Sequence, residues 1–195
     1  MPSNNPEYPV IINIGCGRRR IPGVIGIDHI PLPTVDIVAN IEHGLPFLAD
    51  ASVDIVIADS ILEHVDRFAD LMRDIHRVLK PDGELRVTVP HFSNPYYYSD
   101  YTHRRFFGLY TFDYFVERNR QRMKRIVPDY YADFRFECAN RRILFYSPFR
   151  WRRKLFKTPL NMLVNLTRWT QEFYEENLCW LLPCYILEFT LKPVK

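Results

Sequence analysis

Short apolar runs, rich in β-branched residues, alternate with polar segments along the first half of the chain. Such continuous runs are typical of parallel strands that are buried on both faces of a sheet. The pattern predicts five strands, at Val10–Ile14, Val24–Asp28, Val35–Ala39, Val53–Ala58 and Glu84–Pro90.

One helical stripe lies between the fourth and fifth predicted strands. From Asp66 to Leu79 the apolar side chains recur at the spacing of a single helix face, and Lys80-Pro81-Asp82-Gly83 ends the pattern. Parallel strands need such a crossover, so this part of the chain is predicted to be a βαβ unit. The link from Gly15 to Gly23 is too short for a full helix, so we expect at most one helical turn there.

The second half of the chain has a less regular pattern. The polar and aromatic segment 91–107 shows no clear period, which predicts an ordered loop. Longer patterned stretches follow it. They predict a helix at Thr111–Ile126, strands at Phe134–Tyr146 and Tyr185–Lys192, and a largely helical segment at Arg150–Leu182.

Length and composition favour one domain. The 195 residues are enough to bury a core, and we assign 1–195 to a single domain, with a cofactor half at 10–90 and a substrate half at 91–195. No apolar run approaches the ~18 residues that a membrane span needs, and the first residues do not resemble a signal peptide. The four cysteines form no CxxC pair, so we expect a cytoplasmic protein without disulfides or a zinc site.

Charge is divided unevenly between the two halves. Residues 1–95 carry 8 Lys and Arg against 13 Asp and Glu, whereas residues 96–195 carry 18 against 10. The second half therefore offers a positive surface. Its segment Phe149–Lys157 interleaves basic and aromatic residues, which leaves open a peripheral membrane contact, an anionic carrier, nucleic acid or a solvated turn. Leu163 and Leu166 keep helical spacing with their neighbours and suit either the core or a homodimer face.

Two glycines and a carboxylate carry the clearest chemical signal. Gly15 and Gly17 end the first strand, and Asp28 ends the second. Glycines allow a tight turn and a close backbone approach to a ligand, and a carboxylate at a strand end can accept hydrogen bonds from ribose hydroxyls. This predicts a nucleoside-cofactor site. A dehydrogenase is disfavoured, because Arg20 stands where the third glycine of GxGxxG would be.

Several short motifs, in order, resemble one enzyme family. They are Ile14-Gly15-Cys16-Gly17, Gly26-Ile27-Asp28, Gly44-Leu45-Pro46-Phe47, Ala51–Val56, Ser60–Val65 and Arg77–Leu85. The chain resembles class I S-adenosylmethionine-dependent methyltransferases of the small type-11-like group. The resemblance implies an α/β fold, with a doubly wound, mostly parallel seven-stranded sheet of the Rossmann-like methyltransferase type whose last strand is antiparallel.

The same resemblance implies S-adenosylmethionine as the cofactor and assigns contacts to it. Gly15, Cys16 and Gly17 would approach the methionine part and the ribose, and Asp28 would bind the ribose hydroxyls. Asn40 stands near the adenine edge, where the family more often has Asp. Asp59 and Ser60 would lie at the methionine end.

Acid–base candidates lie in the loop after the fifth strand. His103 with Asp100 is the first choice for a general base, with His91 and His64 behind them. The alternative is that His103 only anchors the loop. His91, Asp100 and His103 match no common metal-site spacing, so no metal is expected.

The acceptor is less well defined by the sequence. Tyr96–Tyr98 and Phe106–Phe107 either line a pocket for a sugar or close the loop over the sheet, and Arg18–Arg20 either meet an anionic group or are solvated. The second half resembles family variants that modify saccharides or glycolipid precursors, so a small or carrier-linked acceptor with a saccharide hydroxyl is the leading hypothesis. The alternatives are an RNA or protein methyltransferase and a non-catalytic S-adenosylmethionine-binding protein. Nucleic acid is disfavoured, because no RNA-binding module is evident and Asp59-Ser60-Ile61-Leu62 replaces an amine-clamping Asn-Pro-Pro-Tyr.

Overall fold

Seven strands form one sheet in the computed structural model, which describes residues 8–145 and 158–195. The strands follow one another along the chain as β1 (Ile11–Ile14), β2 (Ile25–Asp28), β3 (Ile37–Val38), β4 (Val53–Asp59), β5 (Leu79–Pro90), β6 (Arg135–Leu144) and β7 (Ile186–Val194). Their order across the sheet is β3-β2-β1-β4-β5-β7-β6. Strands β1 to β5 are parallel, and β7 is antiparallel to both β5 and β6. The predicted fold class is confirmed.

Strand β1 lies in the interior of the sheet and is buried on both faces. Ile12 pairs with Ile25 of β2 on one side and with Val56 of β4 on the other. Ile12 and Ile14 are fully buried on one face, and Asn13 is buried on the opposite face. This position explains the continuous apolar run, since neither face of the strand meets water.

Helix α1 (Phe68–Val78) is the crossover between β4 and β5. Its buried side chains include Phe68, Leu71, Met72 and Ile75, which form the stripe seen in the sequence. The predicted helix at Asp66–Leu79 is confirmed with slightly shorter ends. Strand β5 begins directly at Leu79, five residues before the predicted start at Glu84.

The link between β1 and β2 contains no helix in the described structure, as predicted. A single turn follows the glycines, in which the Arg19 amide donates to the Cys16 carbonyl at 3.0 Å. No helix dipole is therefore directed at this loop, and other groups must hold its conformation.

The predicted helix at Thr111–Ile126 is wrong. The structure has only short 3-10 turns there, at Thr111–Phe115 and Arg118–Arg120. The Gln121 side chain explains the difference, because its amide donates to three backbone carbonyls at 2.9–3.2 Å and accepts from the Val127 amide at 2.8 Å. These bonds replace the backbone pairing that a continuous helix would make.

Two helices precede the last strand, α2 (Thr158–Val164) and α3 (Arg168–Asn177). Thr167 separates them, since it caps α3 in a reciprocal pair of bonds with Thr170. Strands β6 and β7 confirm the two strands predicted for the second half. The segment Phe149–Lys157 and the predicted strand end at Tyr146 lie outside the described residues. Among the helices described, none has both the length and the apolar character to cross a bilayer.

Candidate active site

The sheet order places a crevice at the carboxyl end of β1. The chain leaves β1 for β2 on one side, whereas β4 pairs with β1 on the other side. Open α/β sheets bind ligands at such a switch point, beyond the carboxyl ends of the strands. Gly15, Asp28 and Asp59 stand at the ends of β1, β2 and β4, so the structure brings these predicted residues to one edge of the sheet.

The turn after β1 depends on both glycines. Gly15 has a φ of 66° and Gly17 a φ of 51°, which L side chains rarely adopt. A Cβ at Gly15 would overlap the Ile61 side chain, so the turn packs directly on the segment after β4. A Cβ at Gly17 would meet open space, so a ligand has access to the backbone there.

Asp28 is held in a fixed orientation at the end of β2. Its Oδ2 accepts from the Gly17 amide at 2.9 Å, and its Oδ1 accepts from the Ile30 amide at 3.0 Å. His29 Nδ1 also lies 3.3 Å from Oδ1, so Oδ2 is the oxygen that keeps a lone pair free for a ligand hydroxyl. These contacts fit a bound ribose.

Cys16 and Asn40 differ in how they face the crevice. The Cys16 side chain is buried against Gly26 and the Thr34 carbonyl, and its burial raises the pKa of the thiol, with a smaller contribution from Asp28. Only its backbone is placed to meet a ligand, and the thiol stays protonated. Asn40 is exposed after β3, where its Oδ1 accepts from the Glu42 amide at 3.0 Å.

The end of β4 carries an ion pair and an unusual backbone conformation. Asp59 pairs with Arg19 of the glycine turn. Ser60 has a φ of 55°, although it is not glycine, and its amide donates to the Thr88 carbonyl at 2.8 Å. Non-glycine residues in this region are strained, and such strain is concentrated at functional sites.

Sequence reasoning missed two polar residues at this edge. Arg19 was considered only as part of a basic triplet, and its partner Asp59 became visible in the structure. Asn13 is 3% exposed, and its Oδ1 has no hydrogen-bond partner among the described residues. The sequence signal that could have indicated Asn13 is that it is the one polar residue inside the apolar run of β1.

The loop 91–107 packs on the turn that follows β4. The amides of Arg104 and Arg105 donate to the Glu63 carbonyl at 2.8 and 3.2 Å. This docking brings His103 close to His64, with 4.9 Å between the ring centroids. The second half of the chain thus adds side chains to the same edge of the sheet.

His103 and Asp100 are neighbours, as the sequence predicted. The Nδ1 of His103 lies 2.9 Å from the Tyr97 carbonyl, which can only accept, so Nδ1 donates to it and Nε2 is the nitrogen left to face Asp100. Asp100 Oδ2 lies 3.6 Å from that Nε2. Hydrogen bonds from the Thr102 hydroxyl and amide lower the pKa of Asp100, so its carboxyl is ionised.

His91 is not part of this group. It is fully buried, accepts from the Ser93 amide at Nδ1 at 3.0 Å, and lies 3.1 Å from Glu175 through Nε2. These contacts indicate a structural role. Its pairing with Asp100 and His103 in one ligand set, considered from the sequence, is not seen.

Glu63 is the acidic residue that the sequence reading did not single out. It is 2% exposed, and burial raises its pKa to about 7, with further contributions from the negative charges of Asp59 and Asp100. Its Oε2 has no hydrogen-bond partner among the described residues. The sequence signal that could have indicated Glu63 is an acidic residue among apolar residues in the motif Ile61-Leu62-Glu63-His64-Val65.

The segment from β2 into β5 is similar to a known protein family. Residues 25–87 match a family described as a methyltransferase domain, and this match covers β2 to β5 with α1 between them. This part of the chain is similar to the methyltransferase-domain family, in agreement with the resemblance of its motifs.

Solved structures share the fold of this chain at low sequence identity. A SAM-dependent methyltransferase from Archaeoglobus fulgidus is 16% identical, with a TM-score of 0.59, over 95% of this chain and 86% of that chain. The 1,6-didemethyltoxoflavin-N1-methyltransferase of Burkholderia thailandensis, solved with S-adenosylhomocysteine, is 13% identical, with a TM-score of 0.54, over 96% and 72%.

A third structure with this fold is the complex of the Haloferax volcanii Trm112 methyltransferase activator with a methyltransferase. It is 12% identical to this chain, with a TM-score of 0.52, over 96% of this chain and 83% of that chain. No curated protein sequence matches the chain.

Proposed function

We propose that this chain is an S-adenosylmethionine-dependent methyltransferase that transfers the methyl group to an oxygen of a small or carrier-linked acceptor, with a saccharide hydroxyl as the leading candidate. The observation that carries the proposal is His103, whose Nδ1 donates to the Tyr97 carbonyl and whose Nε2 lies 3.6 Å from the ionised Asp100. A hydroxyl acceptor benefits from a base near its proton, whereas many other acceptors do not need one.

The cofactor contacts follow from the crevice. In this proposal the backbone of Gly15, Cys16 and Gly17 meets the methionine part and the ribose, and Asp28 accepts from the ribose hydroxyls. Asn40 serves the adenine edge, since an amide oxygen can accept from an exocyclic amine. At the methionine end lie Asp59 and Ser60, joined there by Arg19. The Arg19–Asp59 pair offers one charge of each sign, which suits the two charges of an amino-acid end.

The chain supplies alignment and a proton acceptor. When bound, S-adenosylmethionine would supply an activated methyl group on a sulfonium, whose sulfur keeps the electron pair of the S–C bond. The acceptor hydroxyl, whose oxygen takes the methyl group, would give its proton to His103 Nε2. Asp100 then stabilises the imidazolium, and the Tyr97 carbonyl keeps the ring oriented through Nδ1.

Exposed aromatic rings next to His103 support a sugar acceptor. Tyr97 packs against His103 at 4.5 Å and against Phe106 at 4.9 Å between ring centroids. Phe106, Tyr98 and Tyr96 are more than half exposed. Exposed rings offer flat apolar surfaces on which the C–H faces of a sugar can stack.

An exposed apolar surface supports a carrier-linked acceptor. Helix α2 and the start of α3 leave Met162, Leu163, Leu166 and Trp169 more than 60% exposed. A lipid carrier or a membrane surface would cover such residues. A second copy of the chain would also cover these residues. Flotation with anionic vesicles distinguishes the two, because only a membrane contact makes the chain float with the vesicles.

The test is turnover with a panel of acceptors. Formation of S-adenosylhomocysteine would be measured with free sugars, nucleotide sugars and lipid-linked saccharides, and with RNA and protein as alternatives. With the best acceptor, His103→Gln should lower kcat by roughly 100-fold or more, while the Kd for S-adenosylhomocysteine stays within about twofold. The matched control is His43→Gln, because His43 is an exposed histidine outside loop 91–107.

Each result has a defined meaning. Full activity of His103→Gln would remove His103 as the base. Methyl transfer to RNA or protein, but not to any saccharide, would show that the proposed saccharide acceptor is wrong. Tight cofactor binding without transfer to any acceptor would favour the non-catalytic alternative.

A further inference from the structure

Three side chains next to the proposed acceptor site bring metal-ligand atoms together. One ligand atom each from Glu63, His64 and His103 lies within 4.8 Å of the other two. Glu63 and His64 belong to the turn after β4, and His103 belongs to loop 91–107 after β5. The backbone bonds from Arg104 and Arg105 to Glu63 hold the two segments together.

Hydrogen bonds fix the tautomer of both histidines. The Thr102 hydroxyl has one proton, which it donates to Asp100 Oδ1 at 2.5 Å, so it accepts from His64 Nδ1 at 2.9 Å. His103 Nδ1 likewise donates to the Tyr97 carbonyl. In each ring Nδ1 is therefore engaged as a donor, and Nε2 is the nitrogen left for a metal ion. Metal-binding histidines are oriented in this way, by a bond from the nitrogen that does not bind the metal.

Glu63 contributes a third acceptor atom beside the two histidine nitrogens, and this atom has no hydrogen-bond donor in the described part of the chain. Its Oε2 is buried and has no donor among the residues that the structure describes. A buried polar atom without a partner is costly, and a carboxylate is more costly than a neutral group.

We propose that Glu63, His64 and His103 bind a divalent transition-metal ion of the zinc type. Two imidazoles and one carboxylate are a ligand set that such ions prefer, whereas magnesium and calcium prefer oxygen alone. Ligand atoms about 2.1 Å from a tetrahedral zinc ion are roughly 3.4 Å apart, so small side-chain rotations close the site. The sequence had led us to expect no metal.

Metal binding has a consequence at His103. An ion bound to Nε2 takes the lone pair that the proposed function assigns to the proton, so a bound ion and a base at this atom exclude each other. We therefore expect zinc to inhibit methyl transfer. This consequence rests on the proposed function, whereas binding of the ion does not.

The experiment measures metal binding by the whole chain without turnover. Protein stripped with a chelator would be titrated with zinc chloride by calorimetry and with cobalt chloride by visible absorption. We expect one ion per chain, with tetrahedral cobalt bands, and a Kd raised about tenfold or more by Glu63→Gln and by His103→Gln. His43→Gln is the control, and an unchanged Kd for S-adenosylhomocysteine shows that each variant is folded.

Two results would overturn the metal site. One is a wild-type chain that binds neither ion at micromolar concentrations, and the other is wild-type affinity in both site variants, which would place the ion elsewhere. If zinc binds as expected and activates the transfer, the site stands and the base role of His103 fails. The metal site and the proposed function therefore fail separately.

Discussion

At the scale of single residues, Asp28 connects the two turns that line the crevice. One carboxylate oxygen accepts from the turn after β1 and the other from the segment after β2. The side chain is therefore prearranged, and a ligand that uses its remaining lone pairs does not have to order it.

Asp28→Ala should weaken S-adenosylhomocysteine binding by roughly 1.5–3 kcal/mol, because charge-assisted hydrogen bonds to the ribose are lost. Calorimetric titration of the purified chain measures this change. Asp82→Ala, in an exposed part of β5, is the matched control and should bind as wild type. Unchanged affinity in Asp28→Ala would refute the ribose contact.

The sequence predicted some of these residues and not others, for a physical reason. Gly15, Gly17 and Asp28 are recognisable because a tight turn and a strand end need those residue types at short spacing. Glu63 and Arg19 depend on contacts between segments that are far apart in the chain. Glu63 contacts loop 91–107, and Arg19 reaches Asp59, so neither role can be read from local pattern.

At the scale of elements, a buried ion pair attaches β6 to the 3-10 turn Thr111–Phe115. Arg141 donates to both oxygens of Asp113 at 2.6 and 3.0 Å and to the Leu109 carbonyl at 2.7 Å. The Asp113 side chain is 1% exposed and that of Arg141 is 9% exposed. Removal of one partner leaves the other charge buried and unpaired.

Asp113→Asn should therefore lower the free energy of unfolding by about 3–5 kcal/mol, measured by urea denaturation. Glu188→Gln is the control, because the Arg142–Glu188 pair joins β6 to β7 at the surface. That exposed pair is expected to contribute no more than about 1 kcal/mol. Equal effects of the two variants would contradict the role given to Asp113.

His76 links α1 to the last strand and should make this contact pH-dependent. The Nε2 of His76 lies 3.0 Å from the Val194 carbonyl. Burial lowers the pKa of His76, and the positive charge of the nearby Lys195 lowers it further. As pH falls below about 6.5, the unfolded state takes up the proton first, so stability decreases. Above that pH the contribution is constant.

Unfolding of wild type and His76→Gln, compared between pH 5 and pH 8, tests this link. Glutamine can still donate to Val194 but does not titrate, so the variant should lose less stability on acidification. The comparison isolates His76 from His64, whose pKa burial also lowers. Parallel pH profiles would show that His76 does not contribute.

The elements themselves were predictable wherever one face is buried in a regular pattern. The strands and α1 follow from period and length, and only their ends shift. The helix expected at Thr111–Ile126 failed because Gln121 forms backbone bonds that depend on the folded chain. Side-chain competition of this kind leaves no periodic signal in the sequence.

At the scale of the whole molecule, the sheet is supported unequally. The second half of strand β5 pairs with β4 on one side, through residues 84–88, and with β7 on the other, through residues 85–90, and β7 pairs in turn with β6. At the opposite edge, β3 contributes only two residues, and no helix lies between β1 and β2 in the described chain. Local stability is expected to follow this gradient.

Amide hydrogen exchange tests the gradient. The amides of β5 and β7 should exchange most slowly, and those of residues 15–36 fastest within the sheet region. Addition of S-adenosylhomocysteine should slow exchange mainly in residues 15–36, with little change in β6, which serves as the internal control. Uniform protection across the sheet would contradict the unequal support.

The short link after β1 has a consequence for how the cofactor leaves. This link, which the structure describes in full, has no helix, and two other contacts fix it. The Thr34 hydroxyl donates to the Gly17 carbonyl at 2.5 Å, and the Arg20 guanidinium donates to Asp36 at 2.8 Å. The segment between β2 and β3 therefore stabilises the glycine turn, and a change that makes one of them more mobile should make the other more mobile. Residence time of the bound nucleoside should thus be set partly by residues 29–36, including those that touch no atom of it.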